Sequence, residues 1–526
     1  MNFKINFQKH NFSLITIIGF SGSLLLVLAV FSNFNQFAFD VFFNSDTLYL
    51  PSIYKDIFQD GNTLKDWQLN PSPNFFPDML LYFILMFFTN HFITSSFVFA
   101  IIQYAIILYV LTKIFKEILP NQSKHWHALI YLFMSIFLLE FFFFTTDFNF
   151  TFYLISNSYH TGSFVMALCS FYISLHYYKK PTYKLLIILF TLSLLCVLSD
   201  RLFVVLFCIP MIISILFLTT KKNLKSSLFF IVTVIASIFL GIKLFKALED
   251  INLFHFDKPH KMFAFDDIQG SWKIYKEQIS TYMKEVGFKS LSIYLFALSF
   301  LSLIFLFFYT KKSENKSIKL FVIYCAVFSI CVLFAPIING SYTGWDVLRY
   351  NIYPFYLSGI IITVLLAIVI KKQKILEIGK YMVLVFSICI FVISLHFINK
   401  KELNSYFTYY PKTVKLIDEL AEQEGLNCGV GNYWEAKKTT LFSKKGIKIY
   451  SVFENLSVYD HVTNQKWFFG KNEFNFVLLN GFKDTSEYQK HILTHQLISN
   501  SKDLILVKTN TFTYKKDDKG CLPVNQ

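Results

Sequence analysis

The sequence predicts a polytopic all-α membrane domain followed by a C-terminal exoplasmic α/β domain. The chain of 526 residues is 54% apolar and 16% charged, against roughly 25% charged in soluble domains. Apolar runs of bilayer length recur through residues 1–400. After residue 400 the composition turns mixed, with 17 Lys against 14 acids, and strand-like and helical patterns replace the continuous apolar runs.

The long runs lie at about 12–31, 92–112, 127–145, 161–178, 183–199, 202–220, 227–247, 290–310, 318–338, 350–370 and 378–398, which makes eleven expected crossings. The run Phe75–Phe88 is shorter and follows Pro71-Ser72-Pro73, so it reads as an interfacial or half-membrane helix. The first run has no clear small-residue cleavage motif and ends in Phe31-Ser32-Asn33-Phe34, which points to a permanent helix rather than a cleaved signal. Eleven crossings put the termini on opposite sides. With the N-terminus cytoplasmic, the loops on that side carry 19 Lys against 3 Glu, while the opposite side of the membrane portion carries 13 basic and 17 acidic residues. This is the sign that the positive-inside rule demands.

Two exoplasmic loops and the tail are long or polar enough for chemistry. The first loop, 32–76, spaces aromatic residues as interfacial helices do. The second, 248–289, contains the amphipathic stretch Ile268–Phe288 with Trp272, Tyr275, Ile279, Tyr282 and Met283 on one side. The tail, 401–526, shows helical patterns at Val414–Glu424 and Ser486–Leu497. Strand patterns fall at Ile447–Phe453, Phe474–Leu479, Asp503–Val507 and Thr511–Tyr514. Of eight cysteines, only Cys428 and Cys521 lie in the tail, where they either pair or stay as separate thiols; no CxxC occurs.

Among 49 basic residues only two are arginine, Arg201 and Arg349, and both fall on the exoplasmic side. Where lysine serves every simple need for charge, a retained arginine marks a need for a planar fork, which suits phosphate or carboxylate. Each has acidic company, in Ser199-Asp200-Arg201 and in Asp346-Val347-Leu348-Arg349-Tyr350, so a structural ion pair or a snorkelling anchor is the competing explanation. Asp46, in Asn44-Ser45-Asp46-Thr47, sits among Phe42, Phe43 and Tyr49, where desolvation is expected to raise its basicity. It is a candidate general base, or else the N-cap of a Leu48–Phe58 helix. Asp78 is a second site carboxylate or the cap of the half helix, and Asp147 and His160 border a further outward loop as supporting or capping residues.

No GxxxxGK[ST] loop, HExxH helix, GxSxG elbow or DxD-type pair occurs, which leaves ATP-driven pumps and cytosolic nucleotide-sugar enzymes without support. The net charge of +15 is distributed by membrane side, so no nucleic-acid partner is expected. The stretch Ser45-Asp46-Thr47-Leu48-Tyr49 through Pro77-Asp78, the Asp346–Tyr350 segment and Gly431-Asn432-Tyr433-Trp434-Glu435-Ala436, together with the order of spans and tail, resemble the GT-C superfamily of integral membrane glycosyltransferases, which includes protein mannosyltransferases, oligosaccharyltransferases and aminoarabinose transferases. The resemblance implies a polyprenyl-phosphate-linked sugar donor and an early acid acting on the acceptor, which maps onto Asp46. Where several such enzymes carry two adjacent acids, this chain has Asp46-Thr47, which leaves use of a divalent cation open.

The expected activity is therefore transfer of a sugar from a lipid phosphate to a glycan, lipid or protein acceptor on the exoplasmic side. Asp46 and Asp78 are the candidate catalytic acids, with Arg349, Arg201 and Tyr350 on the donor phosphate and Asp346, Asp200, His160 and Asp147 supporting. A lipid-linked glycan transporter and a non-catalytic envelope assembly protein are the alternatives. A transporter, though, is expected to bury charge at mid-membrane and to show repeated halves, whereas Glu140, Lys243 and Lys246 lie toward span ends and no repeat is visible. The Lys-, Asn- and Phe-rich, Arg-poor composition points to an AT-rich bacterial genome, and so to the cytoplasmic (inner) membrane.

Overall fold

Each of the eleven apolar runs forms a helix in the computed structural model, which describes residues 14–144, 150–256, 264–469, 472–492, 494–517 and 520–525. Asp147 and the start of the run expected at 12–31 lie outside these residues. Among the described residues, eight helical segments are long and apolar enough to cross a membrane: Leu14–Phe31, Phe92–Ile118, His125–Phe142, Leu224–Asp250, Leu291–Lys312, Lys316–Ile338, Val347–Val369 and Gln373–Phe397. A chain with eight such helices is an integral membrane protein. The other three runs form Thr161–Lys179, Tyr183–Ser199 and Val204–Leu218, which are shorter or more polar. Phe75–Thr89 is short, as its sequence suggests.

Burial separates the inner helices from the outer ones. Thr161–Lys179 buries most of its residues, including Phe164, Phe171 and Leu175, and a seryl contact, Ser23 Oγ to Ser135 Oγ at 2.6 Å, joins two neighbouring spans. Leu224–Asp250, Leu291–Lys312 and Gln373–Phe397 instead leave Phe239, Phe300, Phe305, Tyr381 and Val385 exposed. Such faces are stable where the solvent is lipid.

The tail forms the expected α/β unit. Strands β3 (Cys428–Gly431), β4 (Lys448–Ser451), β6 (Phe474–Leu478), β7 (His495–Asn500) and β8 (Ile505–Asp517) lie in the order β4-β3-β6-β8-β7, with β9 (Gly520–Asn525) also on β8. The β3 strand is parallel to β4 and β6, and β8 is antiparallel to β6, β7 and β9. Helix Lys412–Glu424 covers one face through Ile417 and Ala421. Two sequence expectations need correction here. The segment 486–497 is no helix: Glu487–Lys490 is a single 3-10 turn, and the chain then enters β7. The two strands expected at Asp503–Val507 and Thr511–Tyr514 are one strand, β8. Cys428 is a free thiol, and β6 and β8 stand between its strand and β9, which carries Cys521.

A second, three-stranded sheet stitches the loops to the tail. Here β1 (Trp67–Leu69) from the first loop pairs in parallel with β2 (His255–Phe256) from the second loop and antiparallel with β5 (Thr463–Asn464) from the tail. The amphipathic stretch of the second loop forms Phe265–Glu285, with Trp272, Ile279 and Met283 exposed along it.

Candidate functional site

Asp46 is presented by a turn, not by a helix end. The preceding helix, Gln36–Phe42, is capped by the Asn35 side chain, and the turn after it is fixed by Asn44, whose Oδ1 accepts from the N–H groups of Asp46 at 3.0 Å and Thr47 at 3.1 Å. Thr47 Oγ1 donates back to the Phe42 carbonyl at 2.6 Å, and Ser45 Oγ donates to the Tyr433 carbonyl. The next helix, Tyr49–Tyr54, takes no side-chain cap from Asp46. The capping explanation therefore fails for Asp46, and its carboxylate is available to other partners.

Those partners come from two distant segments. Arg349 Nη1 donates to Asp46 Oδ2 at 3.1 Å, and the Tyr433 hydroxyl donates to Oδ1 at 2.9 Å. Arg349 belongs to the short 3-10 helix Trp345–Tyr350, just before the helix Tyr353–Val369. Its guanidinium lies over the rings of Tyr159 and Tyr350, at 5.7 and 5.4 Å. Tyr433 opens the helix Tyr433–Phe442, which Asn432 caps by accepting from the Trp434 N–H at 2.9 Å. Lys437, one turn on, is buried with its ammonium 3.4 Å from the Ser45 carbonyl and 4.2 Å from the Tyr433 ring centroid. Burial acts to raise the Asp46 carboxyl, but Arg349, the Tyr433 hydroxyl, Lys437 and His461 outweigh it and hold the carboxyl below its ordinary value. The expected gain in basicity from desolvation is thus reversed, because the sequence does not show which cations fold against Asp46. Burial also depresses the Lys437 ammonium, to about 7, against the opposing pull of Asp46.

A second cluster lies behind the first. His160, at the start of the helix Thr161–Lys179, has a left-handed backbone with φ of 64°. Its Nδ1 meets Asp200 Oδ2 at 2.8 Å, and Ser163 Oγ donates to the same oxygen at 2.5 Å. Since Asp200 is held ionised by these partners in spite of burial, Nδ1 carries the proton. The His160 ring packs on Tyr350 at 5.1 Å, which links the two clusters. Asp78 lies against the same helix start, so close that a Cβ on Gly162 would sit 1.9 Å from its Oδ1. Burial, with Asp200 nearby, pushes the Asp78 carboxyl up to about 7. Asp78 falls inside the first turn of its helix and is not the cap, which is Asn74.

A cavity of about 280 Å³ opens in front of these groups, walled by Asp46, His160, Arg349 and Tyr350 from the membrane portion and by Tyr433 and His461 from the tail. The structure thus brings together Asp46, Asp78, Asp200, His160, Arg349 and Tyr350. It sets Arg201 apart, with its guanidinium over Phe245 and Phe256 at 5.0 and 5.8 Å. Asp346 lies in the Trp345–Tyr350 turn and is described in its backbone alone, and Asp147 is outside the described residues. Among the described residues no group of three or more His, Cys, Asp and Glu side chains is placed to hold a metal ion. Tyr433, Lys437 and His461 were not legible as site residues, although Tyr433 lies in the tail segment that carries the GT-C resemblance.

No family model and no curated protein matches the sequence. Among solved structures, ArnT from Cupriavidus metallidurans bound to undecaprenyl phosphate aligns over 94% of this chain and 97% of its own, with a TM-score of 0.53 and 10% sequence identity. The two chains share a fold. The alignment takes in membrane helices and tail together.

Proposed function

We propose that the chain is a membrane glycosyltransferase that moves a sugar from a polyprenyl-phosphate donor to an acceptor on the exoplasmic side of the inner membrane. The observation that carries this reading is the cavity in which one carboxylate, Asp46, and one arginine, Arg349, face the same space. In a transfer of this kind an acceptor hydroxyl attacks the anomeric carbon, its proton leaves to a base, and the bond to the lipid phosphate breaks with its electron pair on phosphate. Asp46 is ionised and able to take the proton. Arg349 donates to Asp46 and its guanidinium lines the cavity, where its charge would stabilise the departing phosphate, with His160 beside it. Asp78 and Asp200 act behind His160 rather than on substrate. Arg201, away from the cavity, fits an anchor at the second loop. The likeness to a protein solved with undecaprenyl phosphate supports a lipid-linked donor.

The proposal includes eleven crossings, a cytoplasmic N-terminus, and a division near residue 400 between the membrane domain and an exoplasmic α/β domain. The deciding test is binding of undecaprenyl phosphate to the full chain in nanodiscs. Arg349→Lys should weaken binding about tenfold, or roughly 1.4 kcal/mol. Asp46→Asn should keep binding but abolish transfer. Absence of binding by the unaltered chain overturns the proposal, and so does full transfer by Asp46→Asn.

A further inference from the structure

An open groove of about 590 Å³ on the tail adjoins the Asp46 cavity and shares Tyr433, Trp434 and Tyr459 with it. Two large rings stand in its wall half in solvent, Trp434 at 51% and Phe453 at 50% exposure. Exposed rings gain nothing for the fold, and gathered in one concave surface they mark a binding site. They are also held in place. The Phe453 ring packs edge-on against Tyr459 at 4.8 Å, Tyr459 packs against Tyr433 at 5.2 Å, and Tyr433 donates to Asp46.

The polar part of the wall is as selective as the rings. It includes Asn432, Asn455, Ser457, Glu454 and Glu487, and among the described residues no Lys, Arg or His lines the groove. The Lys483 N–H donates to Glu454 Oε1 at 2.6 Å, which fixes that carboxylate in place. Carboxylates and amides beside aromatic faces match a sugar, whose ring offers C–H faces to the rings and hydroxyl edges to the acceptors. They are a poor match for an anionic ligand, which Glu454 repels while Glu487 is paired with Lys490 at 2.6 Å, and for a polyprenyl chain, which has no use for five polar side chains. This contrasts with the Asp46 cavity, where Arg349 and His160 face the space.

We infer that this groove binds the acceptor as a saccharide, neutral or amino-bearing, stacked on Trp434 and Phe453 so that a terminal hydroxyl reaches Asp46 through the shared wall. The acceptor role rests on the transferase reading above, while saccharide binding itself does not. The test uses the full chain in nanodiscs and saturation-transfer NMR with maltotriose, chitotriose and the anionic trigalacturonate. At least one of the two neutral trisaccharides should bind. Phe453→Ala should weaken that binding fivefold or more, Phe453→Trp should preserve it, and trigalacturonate should not bind. Undecaprenyl phosphate binding should be unaltered in Phe453→Ala. The inference is overturned if neither neutral trisaccharide gives a signal at about 10 mM, a concentration that captures even millimolar affinity. It is equally overturned if Phe453→Ala binds like the unaltered chain, or if trigalacturonate binds as well as the neutral sugars. Trisaccharide binding without undecaprenyl phosphate binding would remove the transferase reading and leave the saccharide site standing.

Discussion

Asp78 and Asp46 show how two carboxylates in one neighbourhood are driven apart. Asp46 gathers Arg349, Tyr433 and Lys437 and stays ionised, whereas Asp78 has Asp200 for its charged neighbour and holds its proton up to about pH 7. An ordinary unfolded aspartate releases its proton near 3.8, so the native state carries an extra proton between the two values. Stability contributed by that group falls as pH rises through this window and is flat above it. Asp78→Asn mimics the neutral form, so its thermal midpoint relative to the unaltered chain should climb between pH 5 and pH 8, with a gain on the order of 1–3 kcal/mol at the upper end. A constant difference across that range would refute the assignment. Arg349 was legible as one of two arginines in the chain, and Asp46, one of five acids in the first loop, because the resemblance maps an early acid onto it. Lys437 and His461 were not, since nothing local separates a lysine that folds against a carboxylate from the 46 others.

The elements around the site are joined by an unusual clamp. Asp56, buried in the first loop, accepts from Asn62 at 2.8 Å, and from Trp67, Asn464 and Trp467 at 2.7 Å each. Four neutral donors satisfy the carboxylate, and two of them come from the tail. The clamp sits beside the sheet β2-β1-β5, so the loop that presents Asp46 and the tail that presents Tyr433 are fixed to each other at a second point. Asp56→Asn turns one acceptor oxygen into a donor facing donors, at a cost of about 2–3 kcal/mol. It should lower the thermal midpoint and speed proteolytic release of the tail, with both effects absent in a surface control such as Lys502→Gln. Resistance equal to the unaltered chain would show that the clamp does not hold the tail. None of this pairing was readable, because β1, β2 and β5 are two or three residues long and take their conformation from one another. The same limit explains the error at 486–497. Tyr488 and Ile492 are spaced as on a helix and both are buried, but Leu497 is 52% exposed and pairs with Val507 on β8. Sheet pairing overrides the local pattern there.

At the scale of the whole molecule, the spans were the most legible feature, because lipid imposes one requirement, a long apolar helix, that many sequences meet. That degeneracy is also why a shared fold survives at 10% identity. The proposed orientation rests on a different and weaker signal, the 19 Lys against 3 Glu in the loops assigned to one side, and it depends on the number of crossings being odd. The three shorter helices are therefore decisive: if Thr161–Lys179, Tyr183–Ser199 and Val204–Leu218 all cross, the eight long spans become eleven and the termini part; if one fails, they lie together. The bundle favours crossing for Thr161–Lys179, whose buried surroundings are protein, so its polarity is not an obstacle to lying at membrane depth. Cysteines placed at two exposed positions read the parity directly. Lys502→Cys, in the tail, should react with a membrane-impermeant maleimide in spheroplasts, and Gln373→Cys, at the start of the last span, should react only after permeabilisation, each above the level of the parent chain. Labelling of Gln373→Cys and not of Lys502→Cys would place the tail, and with it the Asp46 cavity, on the cytoplasmic face, where a donor displayed outside could not reach it.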